Sequence, residues 1–155
     1  MVSTVETSKF GLEVGAPGLK SVGPLTFGPE GILFVADNAG ATIFAIDVGD
    51  AGAAGEPRPL DVDKLDTRLA AYLGCSREDV LIRDMAVHPV SQHVYLSVMR
   101  GKGAAAIPVL IKIGASGTLS EVALEHVPFS QTAVEDAPAE DDRSEERRVG
   151  KECRL

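Results

Sequence analysis

Aromatic residues are scarce in this 155-residue chain: it has no tryptophan, two tyrosines and five phenylalanines, so any core must be mainly aliphatic. Cysteine is scarcer still. Cys75 and Cys153 form no Cys-x-x-Cys and no Cys/His spacing, which leaves no recognisable zinc site and no redox compartment to infer. Fifteen basic residues stand against 23 acidic ones, a net charge of −8, and the basic ones do not cluster. Phosphate neutralisation needs a basic face, so the composition argues against nucleic acid and against anionic membrane surfaces. No run approaches 18 apolar residues, and the segment 1–6 lacks the basic and apolar regions of a signal peptide. These absences predict a soluble protein, with periplasm and cytoplasm both open. Nor does any Ser/His/Asp or Cys/His arrangement have catalytic context, and Arg100–Gly103 lacks the long glycine loop and Ser/Thr of a phosphate-binding motif.

What is present is a repeat. Leu25–Pro29 leading into Leu33–Ala36 recurs as Met85–Pro89 leading into Val94–Ser97, offset by 60 positions at the first strand and 61 at the second. Self-similarity of this kind points to a repeat architecture. Two short alternating strands joined by a proline-containing turn suit a blade of a β-propeller. The predicted fold is therefore mostly β: two antiparallel blade-like meanders of an incomplete propeller, since closed propellers have typically 4–8 blades.

Along the chain, residues 1–18 form an N-terminal segment in which Phe10, Leu12 and Val14 alternate as a possible short strand. The propeller portion spans 19–132. Its first blade, about 19–60, has strands at Leu25–Phe27, at 32–36, the most buried, and at 42–46. Residues 50–59, rich in alanine, glycine and proline, read as a flexible surface loop. An inserted helix follows within about 61–76. Leu65, Leu69 and Leu73 recur every fourth position from Lys64 to Leu73, Asp63 or Asp66 is placed to cap the start, and Gly74 sits at the end. The leucine stripe is expected to pack on the sheets. The second blade, about 81–127, repeats the strands at 81–87, 94–99 and 109–114, with a fourth at 119–124. Phe27, Leu33, Val35, Val87, Tyr95 and Ile111 are expected on buried faces. Residues 133–142 read as an acidic linker, and the open strand edges of an incomplete propeller predict a chain that is unstable or self-associating.

The segment 28–37, a proline, acidic residue and glycine followed by an apolar strand and Ala36-Asp37, together with 43–47, resembles blades of NHL-type and gluconolactonase-like propellers. The second blade departs from that pattern, with Val90–His93 in place of the acidic-glycine turn and Ser97 in place of the alanine. The resemblance implies a fold more than a function. It is compatible with a non-catalytic module binding a protein or small-molecule ligand. It is equally compatible with a metal-dependent lactonase-like hydrolase or quinone-linked oxidoreductase whose active residues lie mainly in blades absent from this chain. Gluconolactonase-like enzymes hold a divalent metal in the central channel through Glu, Asn and Asp. That makes Asp37 and Asn38 candidate ligand or metal residues, although an Asp-Asn pair also suits a simple turn. Asp84 and His88 are further candidates, while His88 before Pro89 and His93 before the next strand also suit exposed turn positions. No cofactor and no catalytic residue follows from the sequence.

Arg143–Cys153 is identical over eleven residues to one translated frame of a short-read library adapter. The resemblance implies that 143–155 is not part of the natural protein and that the natural reading frame continues differently. With five basic and three acidic residues removed, the remaining chain carries −10. Its apolar residues, Val149, Cys153 and Leu155, offer too little burial to offset the entropy of ordering such a charged segment. Ending the chain at Asp142 is expected to change unfolding free energy by no more than about 0.5 kcal/mol, as measured by urea denaturation of the two lengths side by side.

Overall fold

The computed structural model describes residues 9–50, 52 and 62–135. Nine strands are found among them: β1 (Glu13–Gly15), β2 (Leu25–Phe27), β3 (Ile32–Asp37), β4 (Thr42–Asp47), β5 (Val80–Val87), β6 (Val94–Arg100), β7 (Ile107–Ile113), β8 (Leu119–Glu121) and β9 (Val127–Ala133). They build two antiparallel sheets, ordered β1-β9-β4-β3-β2 and β5-β6-β7-β8. One helix, α1 (Leu65–Leu73), lies between them in the chain. No helix among the described residues is long and apolar enough to cross a membrane.

The sequence repeat is reproduced as a repeat of strand register. In the first sheet Leu25 pairs with Val35, Val35 with Phe44, and Leu33 with Ile46. In the second, Met85 pairs with Leu96, Leu96 with Ile111, and Val94 with Ile113. The other face follows suit: Thr26–Phe34 and Ala36–Ile43 in the first sheet match Ala86–Tyr95 and Ser97–Leu110 in the second. Because side chains alternate across a strand, each sheet has two chemically distinct faces. Leu25, Leu33, Val35, Phe44 and Ile46 of the first sheet pack against Tyr95, Met99 and Leu110 of the second in one buried cluster. The second sheet's opposite face, Leu96, Val98, Val109, Ile111 and Ile113, is covered by Leu69 of α1. Polar groups stitch the two sheets together: Leu25 N–H donates to Asp84 Oδ2 at 2.9 Å, and Ser97 Oγ donates to the Gly23 carbonyl at 2.7 Å.

Several expectations need correction. β9, a strand not expected from the sequence, is the fourth strand of the first sheet, lying between β4 and β1 with Ile46 opposite Phe129 and Glu13 also opposite Phe129. It satisfies the open edge of β4 by a pairing more than 80 residues away in sequence, which local periodicity cannot reveal. The N-terminal strand is confined to β1; Phe10 sits in a 3₁₀ turn and is 62% exposed. α1 ends as expected at Gly74, whose left-handed conformation (φ +71°) lets its N–H reach the Ala70 and Ala71 carbonyls. Its start is not capped by Asp63 or Asp66. Lys64 occupies the cap position without a side-chain hydrogen bond, while Asp66, inside the first turn, accepts the N–H of Thr67. Val87, at the end of the edge strand β5, is 50% exposed rather than buried. The linker expected over 133–142 begins later: Ala133 ends β9 and the Val134 N–H donates to the Ala41 carbonyl, while 136–142 and the segment 143–155 lie outside the described residues.

Leu33 is fully buried at the sheet contact, whereas Ile107 on β7 is 51% exposed. Leu33→Ala is expected to cost about 2–5 kcal/mol in urea denaturation and Ile107→Ala less than about 1 kcal/mol.

Candidate functional site

The candidate site grows from a turn and a crossing. β4 ends at Asp47, whose carboxylate accepts the Gly49 N–H, and this tight bend (Gly49 φ +72°) carries Asp50 out of the first sheet toward the second. There Asp50 Oδ2 accepts three hydrogen bonds: from Ser91 Oγ at 2.8 Å, Tyr95 OH at 2.8 Å and His93 Nδ1 at 2.9 Å. Oδ1 accepts the Gly52 N–H at 3.1 Å. The Asp50 side chain is 1% exposed. Residue 50 is therefore a buried anchor rather than the start of a free surface loop.

Burial alone would raise the Asp50 pKa; the hydrogen bonds from Ser91, His93, Tyr95 and Gly52 outweigh it and hold the carboxyl well below the usual carboxylate range. Tyr95 responds in the opposite sense. Burial first, then its hydrogen bond to Asp50 and that residue's charge, push the phenol far above its ordinary value. Since a carboxylate only accepts, His93 donates from Nδ1, and in the neutral ring the lone pair sits on Nε2. An aspartate orienting a histidine is half of a catalytic triad, but the serine is placed differently. Ser91 gives its hydrogen to Asp50 and its oxygen accepts the His93 N–H at 3.2 Å, so His93 does not activate it.

His88 supports the same turn from below. It is 4% exposed, not an exposed turn histidine, and its Nδ1 accepts the N–H groups of Val90 and Ser91, both at 3.1 Å. Its ring meets Phe27 edge-on at 5.0 Å, and Phe27 in turn meets Tyr95 at 5.2 Å. Gly31 is required above it: the residue has φ +77°, and a Cβ there would come within 2.7 Å of His88 Nε2. The proline-containing turn of the first repeat thus packs on the equivalent turn of the second.

The other residues named from the sequence lie apart from this node. Asp37, 2% exposed, is at the far end of β3. Its carboxylate accepts the N–H groups of Lys20, Ser21 and Gly40 and the Ser21 hydroxyl, fixing the chain before β2. Asn38 occupies the turn that follows, its carbonyl accepting the Ala41 N–H. Asp84 sits at the β5 bulge with one oxygen on Leu25 N–H and the other on Met85 N–H. The structure does not bring Asp37, Asn38, Asp84 and His88 into one constellation, and among the described residues no three His, Cys, Asp or Glu side chains are grouped to hold a metal ion. Sequence reasoning missed Asp50. The only local signal was an acidic residue directly after Val48-Gly49 in an otherwise small-residue stretch, which reads as turn chemistry.

Beside the node, an open cavity of about 410 Å³ lies between the end of β4, β8 and the start of β9. Tyr95 forms part of its wall, with Asp47, Lys112, Glu121 and His126 supplying charged or titratable groups. Val48, Val122, Val127 and Pro128 belong to the apolar part of the wall. No family model matches this chain, and neither does any curated protein or solved structure.

Asp50 makes a stability contribution that is present above the unfolded carboxylate pKa, about 4, and is lost as pH falls through the depressed folded value. Asp50→Asn is expected to cost roughly 2–4 kcal/mol at pH 7, since Ser91, His93 and Tyr95 lose a charged acceptor. Unfolding followed by fluorescence from pH 6 down to pH 3 should show a smaller acid-induced loss in the variant than in the parent chain.

Proposed function

We propose that this chain is a two-blade portion of a β-propeller of the NHL-type and gluconolactonase-like kind, serving as a non-catalytic binding module. The observation that carries the reading is the register repeat: the sheet-to-sheet face Leu25/Leu33/Val35/Phe44/Ile46 recurs position for position as Met85/Val94/Leu96/Ile111/Ile113. Blades of a propeller stack in this sense, each turning the same face toward the next. The ligand site in this reading is the polar cavity beside Tyr95, open at the rim where the two sheets meet.

A non-catalytic role is supported by how the acidic residues are used. Asp37, Asp50 and Asp84 each bind main-chain or hydroxyl hydrogens, so recruiting one of them to a metal would dismantle a turn or a sheet contact. The hydrolase and oxidoreductase readings need residues from further blades.

Two measurements test the proposal. The natural reading frame beyond codon 142 is expected to encode further units of about 60 residues with the same strand and turn pattern, and a frame without them would overturn the propeller reading. Lactone hydrolysis assays with magnesium, calcium or zinc are expected to show no turnover; turnover that disappears in Asp37→Ala would overturn the non-catalytic one.

A further inference from the structure

The face of the second sheet equivalent to the core face of the first is open along β5. Ile82, Met85 and Val87 are 37%, 61% and 50% exposed, and Val90 in the next turn is 50% exposed. Leu25, the register equivalent of Met85, is 7% exposed because the second sheet covers it. Leu69 of α1 packs on Leu96, Val98, Val109, Ile111 and Ile113, with Val80 at the start of β5 against the same cluster, and Ile82, Met85 and Val87 lie outside it. Three large apolar side chains left in water along β5, with a fourth in the turn that follows, mark an interaction surface.

We infer that a second copy of this 155-residue chain covers the strip, in the place that a further repeat unit would take, docking the outer face of its first sheet there head to tail; the inference rests on the repeat reading above. What the core face accepts is known from the contact inside the molecule, where it meets the face bearing Ala86, Tyr95, Ser97 and Leu110. The outer face of the first sheet carries Thr26, Phe34, Ala36 and Ile43 at the equivalent register positions. Small residue matches small, aromatic matches aromatic and aliphatic matches aliphatic, and none of the eight is charged. Thr26 is exposed and Ile43 is 41% exposed, so that face is available. The internal sheet-to-sheet interface is thus continued between copies by the same pairing of faces.

Lateral strand addition fits less well. β5 is an edge strand, but it is bulged between Ile82 and Asp84, and Asp84 Oδ1 takes the Met85 N–H. Bulges and edge charges of this kind blunt strand pairing. Stacking joins two different surfaces, Met85/Val87 on one copy and Phe34/Ile43 on the other, so the contact is heterologous and propagates until the ring closes.

Sedimentation velocity on the full chain across the micromolar range tests this. The mass is expected to rise with concentration from one chain to two or more. Met85→Glu and Ile43→Glu, both at exposed positions, are each expected to weaken association at least about tenfold, because either places a charge in an apolar contact. An equimolar mixture of the two variants is expected to restore a two-chain species, since each retains one intact face. A single-chain mass at every concentration would overturn the inference, as would an Ile43→Glu variant that associates like the parent. Hydrogen exchange on the same samples separates the two levels of failure. A monomer with protected β3 and β6 amides overturns only the docking of copies, whereas unprotected amides there overturn the repeat reading as well.

Discussion

The apolar contact between the two sheets, centred on Tyr95, is the constraint on which the rest of the molecule depends. Neither small sheet can bury its inner face alone, so Leu25, Leu33, Val35, Phe44 and Ile46 must meet Tyr95, Met99 and Leu110. Placing a tyrosine at that junction, 1% exposed, creates an obligation, because its hydroxyl needs a partner when buried. Asp50 is that partner. Its remaining capacity organises the turn before β6 through Ser91 and His93. That turn also rests on His88, whose ring in turn requires a glycine at position 31. One apolar contact thus dictates a buried carboxylate, two histidine orientations and a backbone conformation.

The polar residues of this fold are therefore mostly spent on architecture. Asp84 ties β2 to β5, Ser97 ties β6 to the approach to β2, and Asp37 holds the segment before β2. What is left for recognition lies at the rim, where Asp47, Lys112, Glu121 and His126 face a cavity, and along β5, where apolar side chains meet solvent. The cavity and the strip lie on different elements and do not compete.

The repeat of 60 residues was legible because strand alternation and proline-containing turns are local signals, and the pairing registers reproduce it. The helix was legible for the same reason, from leucines four apart and a glycine at its end. Asp37, Asn38, Asp84 and His88 were legible as polar residues at turns or strands, but not as members of one site. All four prove to be engaged with main-chain N–H groups, Asp37, Asp84 and His88 through their side chains and Asn38 through its carbonyl. Asp50 was not legible at all, since Ser91, His93 and Tyr95 lie more than 40 residues away and nothing in its own neighbourhood predicts burial.

By itself the sequence determined most of the strands of the two repeats, their turns and the helix, because those properties depend on residues a few positions apart. Only the tertiary structure decided that β9 completes the first sheet, that His88 is buried, that Asp50 binds Tyr95, and that β5 keeps an apolar strip open. Each of these depends on which surfaces come together across 40 or more residues. Unsatisfied edges and buried polar groups select that arrangement only once the sheets are packed.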